Sequence, residues 1–163
     1  MSATVQIDLL ADHLDLIELI TRWHWAEWGH AYPESSEEEW VSNITSNAGR
    51  GPVAFTLVAW VANAPVGAVS LVEHDMPPDP AFASLSPCVS GTYILPNWRA
   101  KGIGAVLMRT LEARAANFGL GTLFLFTGEA EAFYRRLGWR TIAQSEDHGS
   151  PVAVMEKRIV SEP

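Results

Sequence analysis

The stretch "ILPNWRAKGIGAVLM", residues 94–108, runs from the end of an apolar strand through a proline-marked turn into a helix opened by two glycines. Glycine at a helix start costs backbone entropy and adds no side-chain contact. Nothing in packing asks for Gly102 and Gly104 there, so they mark a backbone that something approaches closely. The start of a helix presents free N–H groups and partial positive charge, a setting that suits phosphate. Arg99 and Lys101 add charge at its edge. Two familiar phosphate motifs fail here. A P-loop ends in Gly-Lys-Ser/Thr, whereas Gly104 is followed by Ala105-Val106; a dinucleotide fingerprint needs a third glycine where Leu107 stands.

Working outward, residues 4–9 alternate as a first strand, and residues 11–29 follow as a helix with Leu16, Ile20, Trp23 and Glu27 on one face. "SSEEEWVSNITSN" opens with a serine cap and an acidic first turn, a helix N-terminus. Residues 52–75 are two apolar runs joined around Asn63-Ala64-Pro65, a hairpin by its turn chemistry. A proline-rich loop precedes the strand "CVSGTYIL". The helix after Gly102 buries Ile103, Leu107, Leu111, Ala115 and Phe118, and Gly119 ends it. "TLFLFT" (122–127) is apolar on both faces, as a central parallel strand is. "GEAEAFYRRLG" is a short helix ending at Gly138, and residues 139–145 and 152–160 are strands around a turn at His148-Gly149-Ser150. The order β-α-α-β-β-β-α-β-α-β-β predicts an α/β (α+β) mixed sheet in one domain over residues 1–163, with a right-handed parallel βαβ unit at its centre.

The 163 residues carry 19 acidic and 11 basic side chains, a formal charge of −8. That field repels nucleic acid and anionic membranes; it reads either as ordinary solubility charge or as a field that favours a cationic small molecule. Hydrophobic residues make up 48% of the chain, yet no apolar run approaches a membrane span. The first residues lack a basic start followed by an apolar run, so the cytoplasm is the expected compartment. One cysteine, Cys88, rules out an internal disulfide. His24 and His30 are too isolated from other ligand types for a metal site, and no metal is expected.

Arg99-Ala100-Lys101-Gly102-Ile103-Gly104 resembles the R-x-x-G-x-G pyrophosphate loop of the GNAT superfamily of N-acetyltransferases. "FYRRLGW" (133–139) resembles the family's Tyr-x-x-Leu-Gly-aromatic signature, at the family's separation of one helix and one strand. The resemblance implies a fold with a splayed strand pair and acetyl-CoA as co-substrate. It implies that the loop of Arg99, Ala100 and Lys101 binds the co-substrate and that the backbone N–H groups around Gly102, Ile103, Gly104 and Ala105 hold its pyrophosphate. The pantetheine arm then runs along Tyr93, Ile94 and Leu95, with the N–H near Ile94 turned to the thioester carbonyl. Gly91 fits this on its own terms, since an isolated strand glycine marks a bulge or close approach. Tyr134 matches the family tyrosine that protonates the departing thiolate and also contacts the co-substrate; a core tyrosine is the other reading.

A base is also needed, and family members use a carboxylate, a histidine or water. Glu73, His74 and Asp75 are the candidates, with Glu73 and Asp75 on one side of the strand exit and His74 on the other. Trp25, Trp28 and Tyr32 form either a wall for the acceptor or core packing, while Trp23 packs with Ile20. Cys88 reads as a buried structural thiol. Three functions stay open: acetylation of a primary amine of a small molecule, acetylation of a peptide or protein, and a non-catalytic acyl-CoA-binding or sensing domain. Family members are often dimers, which leaves a homodimer open.

Overall fold

Strands whose apolar residues alternate, or run unbroken, account for most of the buried chain. The structure, a computed structural model, describes residues 4–159; Val160, the last residue of the expected final strand, and the ends of the expected 1–163 domain lie outside them. In order the elements are β1 (Val5–Leu9), α1 (Ile17–Trp28), α2 (Glu37–Ser46), β2 (Phe55–Val61), β3 (Ala64–Val72), β4 (Cys88–Ile94), α3 (Ile103–Asn117), β5 (Thr122–Thr127), α4 (Glu131–Arg136), β6 (Arg140–Asp147) and β7 (Ser150–Arg158). They form one seven-stranded mixed sheet in the order β1-β2-β3-β4-β5-β7-β6, with β4 and β5 its parallel pair.

Local chemistry sets the boundaries. Ala62 and Asn63 take φ of 50° and 65° in the two-residue β2–β3 turn, and His148 and Gly149 take 50° and 83° in the β6–β7 turn. Such left-handed pairs match the twist of the flanking strands. Ser36 accepts the Glu39 N–H at 3.2 Å and caps α2, whose first turn carries Glu37, Glu38 and Glu39 against the positive end of the helix. At the end of α4, Gly138 has φ 94°, the Trp139 N–H bonds the Tyr134 carbonyl and the Gly138 N–H bonds the Arg135 carbonyl. The Leu-Gly-aromatic signature is thus a Schellman cap: glycine supplies the left-handed residue and the aromatic residue turns into the core.

Two layers of helix cover the sheet. On one face Leu57, Val69, Val89 and Leu123 pack with Ile103, Leu107 and Leu111 of α3 and with Tyr134 and Trp139. On the other, Val58, Ala68 and Tyr93 pack with Ile20, Trp23 and Ile44 of α1 and α2. A partly buried ion pair ties three elements on the first face: Lys157 Nζ of β7 lies 2.6 Å from Glu112 Oε1 of α3 and donates to the Leu137 carbonyl beyond α4.

Four expectations need correction. The first helix begins at Ile17, because residues 10–16 form two 3-10 turns broken at His13, whose φ and ψ are −143° and 56°. Phe118 is 47% exposed, since α3 has ended beside it; its ring instead lies against the Arg114 guanidinium. Glu27 is likewise exposed, where it pairs with Arg99. β5 is not buried on both faces: Leu123 and Leu125 are buried, but Phe124 and Phe126 are only partly so. The α1–α2 layer packs on β2 to β4 and leaves that face of β5 open.

Candidate active site

β4 and β5 meet at one register position, Cys88 opposite Phe124, with the Phe124 N–H bonded to the Pro87 carbonyl at 3.0 Å. Beyond that apex β4 stays with β3 and β5 with β7, so the pair opens as a V. The register of β3 and β4 slips by one between Ala68–Tyr93 and Ser70–Ser90, which places Gly91 and Thr92 together opposite Val69. Gly91 sits at φ +64°, and a Cβ there would lie 2.8 Å from His24 Cε1, so both backbone and space demand glycine. The Leu95 N–H bonds Val66 on the β3 side at 2.8 Å. By strand alternation the Ile94 N–H points to the other side, into the V.

The head of α3 closes the open end. Gly102 caps the helix at φ 84° with no side-chain cap, and the first helical bond runs from the Val106 N–H to the Gly102 carbonyl at 3.2 Å. The N–H groups of Ile103, Gly104 and Ala105 therefore have no helical partner. A Cβ on Gly102 would meet nothing within 4 Å, so its glycine is explained by conformation. Gly104 differs: its Cβ would sit 3.1 Å from Phe133 Cζ. The expectation that packing asks for neither glycine is thus wrong for Gly104, which lets α3 and α4 approach. Ala100 takes φ 60° in the loop, Lys101 is exposed, and Arg99 folds back: its Nε donates to the Ile94 carbonyl at 2.8 Å and its guanidinium lies over the Tyr93 ring.

Tyr134 reaches the V from the α3 face. It is 6% exposed and packs edge-on against Phe133 and Trp139. Burial pushes its phenol above the usual tyrosine range, and a hydrogen bond from Thr92 on the bulge opposes that shift. The phenol is a proton donor at neutral pH.

The opposite face carries carboxylates. Asp75 is partly buried beside Ser90 of β4; burial raises its carboxyl, the Ser90 hydroxyl bond lowers it, and the charge of Asp147 raises it again. Tyr32 donates to Asp147 Oδ2 at 2.7 Å, and the Tyr32 ring meets the His148 ring edge-on at 4.4 Å between centroids. Glu73 and His74 are exposed instead, because β3 ends at Val72 and strand alternation stops before them. Trp28 packs on Tyr93 and His24, and Trp25 on Trp40, so Tyr32 is the one aromatic of the three that reaches the carboxylates.

Residues 17–139 match the model of the "Acetyltransferase (GNAT) family". The chain belongs to the GNAT acetyltransferases. No curated protein sequence matches it. Among solved structures it is similar to an aminoglycoside 6′-N-acetyltransferase complexed with coenzyme A, at 18% identity over 97% of this chain and 99% of that one, with a TM-score of 0.72. It is also similar to Ard1 from Thermoplasma volcanium (15%, 99% and 100%, TM-score 0.69) and to a phosphinothricin acetyltransferase from Sinorhizobium meliloti in complex with AcCoA (21%, 98% and 90%, TM-score 0.67). At these identities the likeness speaks for the GNAT fold.

Asp147 and His148 lie beyond the span matched by the GNAT model, and sequence reasoning missed them together with Ser90 and Thr92. One signal was available: the His-Gly turn that carries Asp147 and His148 is the tip of the last hairpin, a place where polar side chains gather. Cys88 is fully buried, and burial pushes its thiol to about 11, so it is no nucleophile at neutral pH. Among the described residues, no three His, Cys, Asp or Glu side chains are grouped to hold a metal ion.

Proposed function

We propose that this GNAT protein moves an acetyl group from acetyl-CoA directly to a primary amine of a small molecule. One observation carries the reading: the V between β4 and β5 opens onto the unpaired N–H groups at the head of α3, with the Tyr134 phenol on its wall. The residues fit the co-substrate. The backbone N–H groups of Ile103, Gly104 and Ala105 hold its diphosphate, and Lys101 adds a cation. The free edge of Tyr93, Ile94 and Leu95 receives the pantetheine amides as an added strand would. When bound, acetyl-CoA supplies an acyl carbon activated as a thioester.

The Ile94 N–H stabilises charge on the acyl oxygen. Tyr134 Oη delivers a proton to the departing sulfur, whose free thiol pKa of about 8.5 lies below that of a phenol yet is helped by a positioned donor. Asp75, whose carboxyl burial raises and so makes a stronger base than an exposed carboxylate, takes a proton from the incoming ammonium. Tyr32 and Asp147 orient that ammonium from the other side. Two of the similar folds belong to enzymes named for small molecules, an aminoglycoside and phosphinothricin, which supports a small acceptor.

The test is an amine and peptide panel assayed for CoA release with the parent protein and with Tyr134→Phe. Transfer to one or more small amines is expected, and Tyr134→Phe lowers kcat by roughly 100-fold or more while acetyl-CoA binds as before in calorimetry. Peptide acetylation alone overturns the small-molecule acceptor. Binding of acetyl-CoA without acetylation of any acceptor overturns transfer and leaves a sensing domain.

A further inference from the structure

We infer that His24 is a positioning residue for acyl transfer, its Nε2–H clamping the Gly91 carbonyl so that the β4 bulge presents Thr92 and Ser90 to opposite faces of the sheet. The inference rests on the transfer reading above. His24 is 5% exposed, and its Nε2 lies 3.1 Å from the Gly91 oxygen. A carbonyl only accepts, so Nε2 carries the proton. Burial holds the imidazole to about 4, so the clamp is the neutral ring across the physiological range.

A bulge removes one residue from the strand ladder and leaves its polar groups to find other partners. Buried without a partner, such a carbonyl is costly. His24 is the partner of the Gly91 carbonyl, and the fit is tight, because the same ring fills the space a Gly91 side chain would need. Trp28 and Tyr93 hold the ring, at 5.1 and 6.3 Å between centroids.

What the clamp secures is a matter of parity. In a regular strand residues 90 and 92 point to the same face. Here Val89 packs in the core under α3 whereas Tyr93, four residues on, packs in the core under α1, so the faces exchange across the bulge; Ser90 is thereby turned toward Asp75 and Thr92 toward Tyr134. The inserted residue makes that division possible, and it sends the proposed proton acceptor and the proposed proton donor to the two sides of the V. Without the clamp the register is free to relax, and Thr92 and Ser90 no longer address both groups.

Two amide variants separate donor geometry from packing. His24→Gln places an N–H where Nε2 stood, whereas His24→Asn is one carbon too short to reach Gly91. His24→Asn is expected to lower kcat by about 100-fold, the scale of an ångström of misplacement, with KM for acetyl-CoA unchanged, and His24→Gln to recover most of the loss. Amide hydrogen exchange at residues 91–93 of the protein alone is expected to quicken in His24→Asn and to return in His24→Gln. Equal kcat and equal exchange in the two variants overturn the clamp. So does a loss in both that simply follows a fall in Tm. Should the parent protein acetylate no amine, the transfer reading fails while the exchange comparison still decides the clamp.

Discussion

Asp75 carries opposite demands in catalysis and stability. Its carboxyl is raised by burial, so proton uptake by it fails as pH falls through that raised value, and the acid limb of kcat/KM reports it. The stability sign runs the other way. A carboxyl with a folded value above its unfolded one stabilises the fold below the unfolded value, about 4, and that contribution is lost as pH rises through the folded value. Asp75→Asn keeps the Ser90 bond and removes the buried charge. It is expected to abolish the acid limb and most activity while raising Tm at neutral pH, a gain that vanishes below about pH 4. Thermal scans across pH check it, and a Tm gain independent of pH contradicts the account. At this scale legibility was uneven. Tyr134 stood out because its signature is a local helix cap, spelled within six residues. Asp75 could not be told from Glu73 and His74, because the end of β3 depends on where β4 begins, Val72 pairing with Cys88. Tyr32 and Asp147 meet across 115 positions, a separation no spacing rule reaches.

At the scale of elements the head of α3 is the most exacting piece. Gly102 sits at φ 84° with open space where a Cβ would go, so any cost of Gly102→Ala is backbone strain, about 1–2 kcal/mol. The expected result is a Tm lower by a few degrees and weaker acetyl-CoA binding in calorimetry, because relaxing that strain turns the first-turn N–H groups away. Unchanged affinity would place the diphosphate elsewhere. Element order was readable from periodicity and turn residues, and both hairpins with it, although the first turns at Ala62 and Asn63, one residue ahead of the expected Asn63-Ala64-Pro65, so that Ala64 and Pro65 open β3. The faces were less so. Phe118 and Phe124 follow apolar patterns, yet α3 ends at the first and no helix covers the second. Gly104 looked like an opening for a ligand and proves also to be the contact point of two helices.

At the scale of the whole molecule, the formal charge of −8 and the carboxylates Asp75 and Asp147 beside the V draw cations inward. Exposed charges are screened beyond roughly 10 Å at 0.1 M salt. KM for a cationic amine is therefore expected to rise as salt is raised from 20 to 300 mM (about 21 to 6 Å of screening length), whereas KM for the anionic co-substrate is expected to hold or fall. Steady-state kinetics at several ionic strengths read both; a salt-independent amine KM removes the field from the account. Charge balance was visible in composition alone. Its focus was not, because Asp75 lies past the end of β3 and Asp147 at the end of β6, far apart in the chain.

Lys157 joins Glu112 of one flanking helix and the last carbonyl of the other to a single ammonium. Cradle and phenol are consequently fastened to each other, and α3, lying across β2, β3, β4 and β5 alike, straps both arms of the V together on that side. An arriving guest therefore meets a mouth whose breadth is already set there.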